Sequence, residues 1–443
     1  MAQSAPAAAI SNMYRTPELR DKLAFTLLCL VLYRIGAHIT APGIDVAAIQ
    51  DFFANQGGGG ILGLYDLFVG GGLSKATVFA LGIMPYISAS IFMQIAGVVI
   101  PTVEKMQKDE EGRKRVTQWT RYFTVALAVV QAWGFALFTS SLENAVINPG
   151  FGFRLQMVLV LTTGAMFVMW LGEQITERGL GNGASLIIFF SIVERFWPGI
   201  FSTVGFVRTQ VVGPFSLIVL GIVMIGVVAG TVAITMAARR VMIQIPQRTM
   251  ARGRQREAAK NFIPLRVNAA GVMPIIFASS VIVVPGAIAQ FSGNETARVM
   301  SESFQPGTWL YYLLSAVLII FFTYFYTSII FNPVDISENL KKQGGFIPGV
   351  KPGARTAEYI DHVVSRITFT GSVFLTFIAL LPVFIADMIA VPFSFGGTSL
   401  LIVVGVALDT MAQVNQHLLL RKYDGFMKKG RVRFRGRSAG GSF

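Results

Sequence analysis

The sequence predicts an all-α polytopic membrane protein. Of its 443 residues, 53% are hydrophobic and only 14% are charged, a composition typical of chains that cross the bilayer several times. The mean hydropathy is +0.61. Long apolar stretches recur along the chain and alternate with polar, often basic connections. This composition excludes a soluble enzyme.

Ten stretches are long and apolar enough to be predicted as transmembrane helices. They are residues 23–40, 76–100, 119–139, 155–172, 183–206, 214–238, 271–291, 309–331, 367–386 and 397–420. A break near residues 208–213 divides the chain into halves of five spans, residues 1–208 and 209–443. Because five is odd, the halves are expected to be inverted repeats, with the functional site between them near the membrane midplane.

Lys and Arg residues are concentrated in every second connection. The formal net charge is +14, and the sixth connection, residues 239–268, holds eight basic residues against one acid. The eighth connection, residues 332–366, and the tail, residues 421–443, are also basic. The positive-inside rule therefore places both termini and these loops in the cytoplasm. Topology signals alone would explain the charge, but not two long loops.

The stretch from Gly57 to Pro101 is too apolar for water and too interrupted for one simple span. Residues 63–73 form an amphipathic run that can dip into a bilayer but not cross it. Residues 76–100 are long enough to cross, with Pro85 expected in the middle of the span. Polar side chains follow at Ser88, Ser90 and Gln94. On residues alone, an ordinary re-entrant loop before a Pro-kinked helix explains the stretch equally well.

The fifth span carries an acid and a base next to each other. Only ten apolar or small residues, 184–193, precede Glu194 and Arg195. Such a pair needs a water-filled cavity or a partner helix, unless it lies at the outer interface. Within the apolar run, Ile188 and Ile192 lie four residues apart and share a helix face.

Five stretches resemble the SecY family of protein-translocase channel subunits. They are LGIMPYISAS (residues 81–90), GLGNGASLIIFFSI (179–192), VNAAGVMPIIFASSVIVVP (267–285), IDHVVSRIT (360–368) and GGTSLLIVVGVALDTMAQV (396–414). The resemblance runs from about Pro17 to Lys428. It implies a protein-conducting channel of the bacterial cytoplasmic membrane, not an enzyme and without a cofactor. Unfolded polypeptides would pass through it, and transmembrane segments would leave sideways into lipid.

The resemblance also implies roles for individual residues. An apolar pore ring would comprise Ile83, Ile87, Ile188, Ile192, Ile276 and Ile402. A plug beside the ring would comprise Leu64, Tyr65, Asp66, Leu67, Phe68, Val69, Gly70, Gly71, Gly72 and Leu73. A lateral gate between spans two and seven would be weakened by Ser88, Gln131, Ser279 and Ser280. Stiff β-branched side chains suit a ring that excludes water by dewetting.

Partners follow from the same resemblance. They are the small membrane subunits SecE and SecG, the motor ATPase SecA, the ribosome, signal peptides, nascent chains and anionic lipids. The ATPase or the ribosome would supply the energy. Either partner would bind the basic loops, at Arg252, Arg254, Arg256 and Lys351. Two features depart from the family: Lys351 stands where Arg is usual, and residues 256–262 replace a stretch that usually contains Tyr and His. A bidentate contact at Lys351 is therefore lost.

Two other classes of protein are alternatives to the channel. A secondary transporter with five-plus-five inverted repeats needs ionisable groups near the midplane. The candidates are Arg34, His38, Glu173, Asp387 and Asp409, most of them near span ends. Asp409 is more simply explained as an interfacial or helix-pairing carboxylate. A membrane enzyme needs a nucleophile and a base at suitable spacing, and the sequence offers no such pair.

Overall fold

The computed structural model describes most of the chain. The described residues are 17–55, 60–142, 144–208, 213–244, 261–291, 299, 302–389 and 397–429. Three of the four predicted partner-binding residues, Arg252, Arg254 and Arg256, lie outside them, as does most of the basic tail.

Among the described residues, the first half of the chain forms eight helices. They are α1 (Pro17–Gly36), α2 (Val46–Asn55), α3 (Ile61–Val69), α4 (Met84–Val99), α5 (Pro101–Lys108), α6 (Glu110–Ser141), α7 (Phe151–Arg178) and α8 (Gly183–Arg208). The second half begins with α9 (Pro214–Met236) and the strands β1 (Ala238–Ile243) and β2 (Asn261–Arg266). It continues with α10 (Met273–Phe291), α11 (Trp309–Ile330), α12 (Pro333–Lys342), α13 (Ala354–Ile389) and α14 (Gly397–Lys429).

Each of the ten predicted spans overlaps a helix, although the count of ten membrane crossings stays a prediction. Among the described residues, seven helices are long and apolar enough to cross a membrane, and an eighth is added if α4 and α5, which meet at 103°, form one broken span. The all-α membrane class is thus confirmed, with one small hairpin added. The division into inverted halves stays a prediction.

Proline positions correct one expectation. Pro85 does not kink the middle of the second span, because α4 begins at Met84 and Pro85 occupies its first turn. The first turn suits proline, since its missing N–H has no partner there anyway. Pro214 and Pro333 begin α9 and α12 in the same way. Residues 78–83 before α4 are turns instead of helix.

The core is one large apolar cluster inside the helix bundle. Within it, α10 packs on α3, α4, α6, α11 and α14, while α3 packs on α8 and α10. The short helix α3 is therefore enclosed by longer ones. Outward-facing side chains such as Phe215, Ile222 and Ile225 are large and apolar, 65–76% exposed, as lipid contact requires.

A second, smaller cluster unites the sixth and eighth connections. Strands β1 and β2 pair antiparallel, with Val241 opposite Ile263, and Gln244 bridges to Phe346 in the eighth connection. The shared core comprises Val241, Ile243, Leu265, Leu340, Ile347, Ile360 and Val363. We call this unit the basic platform. The sixth connection, expected as a basic arm, is thus partly a folded hairpin.

Candidate functional site

Helix α8 shows how the interior changes from one side of the bundle to the other. Near its start, Ser185 lines a polar cavity. One and two turns later Ile188 and Ile192 are each 1% exposed. After a further turn Arg195 ion-pairs with Asp66 of α3. Cavity, apolar layer and α3 therefore follow one another along the helix axis.

Helices α4 and α10 repeat this order. On α4, Ile83 and Ile87 are buried, and Ser90 and Gln94 further along line the cavity. On α10, Met273 and Ile276 line the same cavity. Three turns further along α10, Gly286 lies so close to Ile61 of α3 that an added Cβ would be 2.7 Å from Ile61 Cδ1. All three helices thus place an apolar layer between cavity and α3.

All six predicted ring residues lie in the main apolar cluster, none more than 4% exposed. Ile87, Ile188 and Ile276 form part of the cavity wall. Ile83, Ile192 and Ile402 do not line the cavity and are buried in the cluster beside it. Their role as a ring stays a prediction.

Two cavities with mixed polar and apolar walls lie on the side of this layer that carries the basic connections. One has a volume of about 190 Å³ and is lined by Tyr86, Ser90, Gln94 and Thr176, among others. The other, about 300 Å³, includes Arg266, Asn268 and Asp409 in its wall. Both contain Asn182, Ser185, Met273 and Tyr326 in their walls, so they are neighbours, and we call the two together the vestibule.

The opposite side of the apolar layer is filled by α3. Tyr65 and Leu67 are each 1% exposed, and Leu73 is fully buried. The gap between α3 and α10, lined by Leu64, Phe68 and Ser279, holds only about 10 Å³. The structure is therefore closed on this side.

Glycine allows α3 to end where it does. Gly70 caps the helix in the left-handed conformation, with φ +72°, which favours glycine. A Cβ at Gly70 would also lie 3.1 Å from the Cα of Ser191 on α8. Both the turn and the close approach to α8 therefore require glycine.

Polar contacts hold α3 in place. The Tyr65 hydroxyl lies 3.1 Å from the Leu81 carbonyl and 3.2 Å from Gln131 Oε1, both acceptors. The Tyr33 hydroxyl of α1 donates to the Val69 carbonyl at 3.1 Å. These bonds join α3 to three surrounding segments.

The adjacent acid and base of the fifth span each find a partner helix, as one of the two interpretations expected. Glu194 ion-pairs with Arg34 of α1, and Arg195 with Asp66 of α3. Sequence reasoning missed both pairings. The available signals were a single acid within the apolar run 63–73 and a single Arg within the first span.

The predicted gate residues lie on helices α4, α6 and α10, which contact one another. Ser88 Oγ, Gln131 Nε2 and Ser280 Oγ are buried and find no hydrogen-bond partner among the described residues. Ser279 faces Leu64 of α3. An unpaired buried polar atom costs about 1–3 kcal/mol. This seam is therefore weaker than an apolar one.

Lys351 is exposed on the basic platform. Its loop is held by two hydrogen bonds: Thr356 Oγ1 donates to the Lys351 carbonyl at 2.9 Å, and Ser337 Oγ to the Gly353 carbonyl at 2.7 Å. The side chain thus projects from a shaped surface instead of a loose loop, and the Pro and Gly residues of residues 346–353 suit such a fixed turn.

Comparison with known proteins agrees with this arrangement. The model of the SecY family matches residues 77–411, most of the chain. The chain belongs to the SecY family. A relative named protein translocase subunit SecY, from Aquifex aeolicus, is 43% identical over 428 residues, covering 95% of this chain and 99% of its own length. SecY membership makes the chain a membrane-embedded, multi-pass protein.

Solved SecY-type structures share the fold. One is a SecY protein whose plug domain stabilises the closed state of the translocation channel and maintains a membrane seal. It has a TM-score of 0.65 and 18% identity, over 94% of this chain and 95% of that one. Another is Sec61 in the canine ribosome-channel complex, with a TM-score of 0.61 and 17% identity over the same shares. At these identities the likeness extends to fold alone.

Proposed function

We propose that this chain is a protein-conducting channel of the bacterial cytoplasmic membrane. Unfolded secretory polypeptides enter the vestibule from the basic side, pass the six Ile residues and leave past α3. The observation that carries the proposal is the order along α4, α8 and α10: polar vestibule, apolar layer, buried short helix. No catalytic step is needed, so the chain is not an enzyme.

The Ile layer acts as the pore ring. Six buried side chains without a polar ligand offer an ion nothing to replace its hydration shell. Branched at Cβ, they close by packing and dewetting once a chain has left. The plug, which seals the far side, comprises residues 64–73, most of α3 with the glycine turn after it.

The seam between α10 and the pair α4 and α6 acts as the lateral gate. Its unpaired atoms on Ser88, Gln131 and Ser280 gain partners when water or a passing segment enters. An apolar segment then partitions into lipid, at about −0.3 to −0.6 kcal/mol for each central Leu or Ile. Polar segments continue through the ring.

Conductance across a planar bilayer tests the pore directly. Replacing Ile83 and Ile402 together by Asn should hydrate the ring and raise the closed-state conductance about tenfold or more, the change that a barrier lower by about 1.4 kcal/mol gives. The matched control replaces the same two residues by Leu, which keeps the volume and the apolar surface. Deletion of residues 64–73 removes the second seal.

The outcomes separate the pore from its alternative. A leak in the Asn variant and not in the Leu variant is expected. If the Asn variant stays as tight as the parent and the deletion is equally silent, these residues do not line a pore. A transporter would instead lose turnover without leaking. The structure favours the channel, since Arg34 and Glu173 are occupied in ion pairs.

Partners bind the basic platform and the membrane face. A motor ATPase such as SecA, or the ribosome, docks through Arg252, Arg254, Arg256 and Lys351. Support comes from the exposed position of Lys351 and from the ribosome-bound Sec61 that shares the fold. SecE and SecG complete the complex within the membrane, and anionic lipids neutralise the basic face.

Charge should dominate the docking contact. Reversal of Arg254 and Lys351 to Glu is expected to weaken binding of the ATPase or ribosome about tenfold at physiological salt, and raised salt should weaken the parent similarly. Surface plasmon resonance on detergent-solubilised complex measures both. Arg355→Gln, which neutralises another exposed cation nearby, is the control. Unchanged binding in the doubly reversed variant would mean that the basic residues of these loops serve only as topology signals.

A further inference from the structure

One ion pair joins the plug to helix α8, and both of its residues lie in the first half of the chain. The Asp66 side chain is 2% exposed and pairs with Arg195 of α8, which is 28% exposed. The other oxygen, Oδ1, accepts the backbone N–H groups of Leu73 and Ser74, each at 2.9 Å. A single carboxylate thus closes the turn after α3 and ties that turn to α8.

Arg195 makes further contacts with the same turn. Its Nη2 donates to Ser74 Oγ at 3.2 Å. At Gly71, where φ is +84°, an added Cβ would lie 3.0 Å from the same nitrogen. One turn back on α8, Ser191 Oγ lies 2.9 Å from the Tyr33 hydroxyl that holds Val69. These polar tethers all belong to residues 1–208.

The plug meets the second half of the chain differently. Leu64 and Phe68 face Ile282 and Val283 of α10 across the small gap, and Ile61 packs on Gly286. Such contacts are apolar and non-directional, and lipid or the apolar face of a signal segment can replace them. A buried charge that loses its partner finds no such replacement.

We propose that the Asp66–Arg195 ion pair is the catch that keeps the plug on the first half of the chain while the gate opens. The inference rests on the proposed channel function. A signal segment that parts α10 from α4 releases the apolar contacts first, and the plug leaves only when the ion pair also breaks. The pair therefore determines how strong a signal segment must be to open the channel.

Neutralising each partner tests the catch, with the chain reconstituted together with its copurifying membrane subunits. Arg195→Gln leaves an almost fully buried carboxylate unpaired, so closed-state conductance should rise about tenfold and precursors with weak signals should cross. Asp66→Asn leaves only the more exposed guanidinium unpaired and should leak less. The double variant, without an unpaired charge, should leak less than Arg195→Gln alone.

Two control variants accompany these. Arg195→Lys keeps the charge and should restore most of the seal. Arg121→Gln removes another interhelical ion pair, Arg121 Nη2 to Glu173 Oε2 at 2.9 Å between α6 and α7, and should leave the seal intact. Should Arg195→Gln fail to accumulate in the membrane, Asp66→Asn and the double variant are compared, and equal leaks are expected.

Either of two results would overturn the catch. One is a double variant whose closed-state conductance rises by the combined effect of the two single variants. The other is an Arg195→Gln channel as tight as the parent. Failure of the catch is distinguishable from failure of the channel. If the Ile83 and Ile402 Asn variant conducts while the catch variants stay tight, only the catch is wrong. If that variant is also tight, the proposed function fails with it.

Discussion

At the residue scale, the closed state depends on a few residues with unusual surroundings. Gly70 is one: it ends α3 in the left-handed conformation and touches Ser191 of α8. Asp66 is another, since a nearly buried carboxylate is stable only when it is paired and hydrogen-bonded. Both lie in the proposed plug, so we expect the seal to depend on a few atoms.

Gly70→Ala should loosen the plug. The left-handed conformation costs an Ala about 1–2 kcal/mol, and the added Cβ would press on the Ser191 backbone 3.1 Å away. We expect a several-fold rise in closed-state conductance, measured in planar bilayers. Gly152→Ala, where an added Cβ meets nothing within 4 Å, should behave as the parent. An equally tight Gly70→Ala channel would contradict the assigned role of this turn.

The sequence indicated which residues need a partner more successfully than it indicated which residue each one pairs with. The isolated acid and base, Glu194 and Arg195, indicated that the fifth helix needs a partner. Which partner it has depends on how α1 and α3 pack against α8, and no local pattern encodes that. Pro85 was misplaced for a local reason, because apolar character continues through the turns before α4 and hides the helix start.

At the element scale, the seam of α10 against α4 and α6 combines buried position with unpaired polar atoms. By contrast, Ser372 of α13 is also fully buried, and its hydroxyl donates to the Phe369 carbonyl at 2.9 Å. Three unpaired atoms at one contact weaken the seam relative to a fully paired one, which suits the lateral gate that we propose.

Removing the unpaired hydroxyls should strengthen the seam. Ser88→Ala with Ser280→Ala deletes two buried atoms without partners, and we expect a gain on the order of 1 kcal/mol in closed-state stability. Thermal unfolding in detergent should shift upward, and transport of weak-signal precursors should fall. Ser372→Ala deletes a bonded hydroxyl and should lower stability slightly. A double variant less stable than the parent would argue against a strained seam.

The elements themselves were largely predictable, because long apolar runs have few alternatives to helix in a membrane. Apart from the turns before α4, the exceptions lie outside the apolar runs. The first connection contains α2, and the sixth forms the hairpin β1–β2, whose stability depends on contacts with residues 340–363 of the eighth connection. Contacts between distant loops leave no periodic signal in the sequence.

At the scale of the whole molecule, charge and polarity both distinguish one face from the other. The basic platform and the vestibule lie on the same side of the Ile layer, and the plug lies on the other. A chain that enters from the basic side therefore reaches polar surface before any barrier. The predicted orientation puts that side in the cytoplasm.

Cysteine labelling tests the orientation in intact cells. Both variants are made in a background without Cys29, which is buried. An impermeant thiol reagent added outside should modify Thr398→Cys when residues 64–73 are deleted. In the full chain, the same reagent should not modify Arg252→Cys. After lysis Arg252→Cys should react. Modification of Arg252→Cys in intact cells would reverse the orientation and rule out the proposed direction of transport.

The vestibule has an electrical consequence. Polar cavities of about 190 and 300 Å³ are roomy enough for water, which conducts and so carries little of the membrane voltage. In the proposed channel, the potential would then fall mainly across the Ile layer and α3. A charge that crosses them would gain or lose about 2.3 kcal/mol per 100 mV, so the membrane potential would act on the charged residues of a passing chain at this barrier.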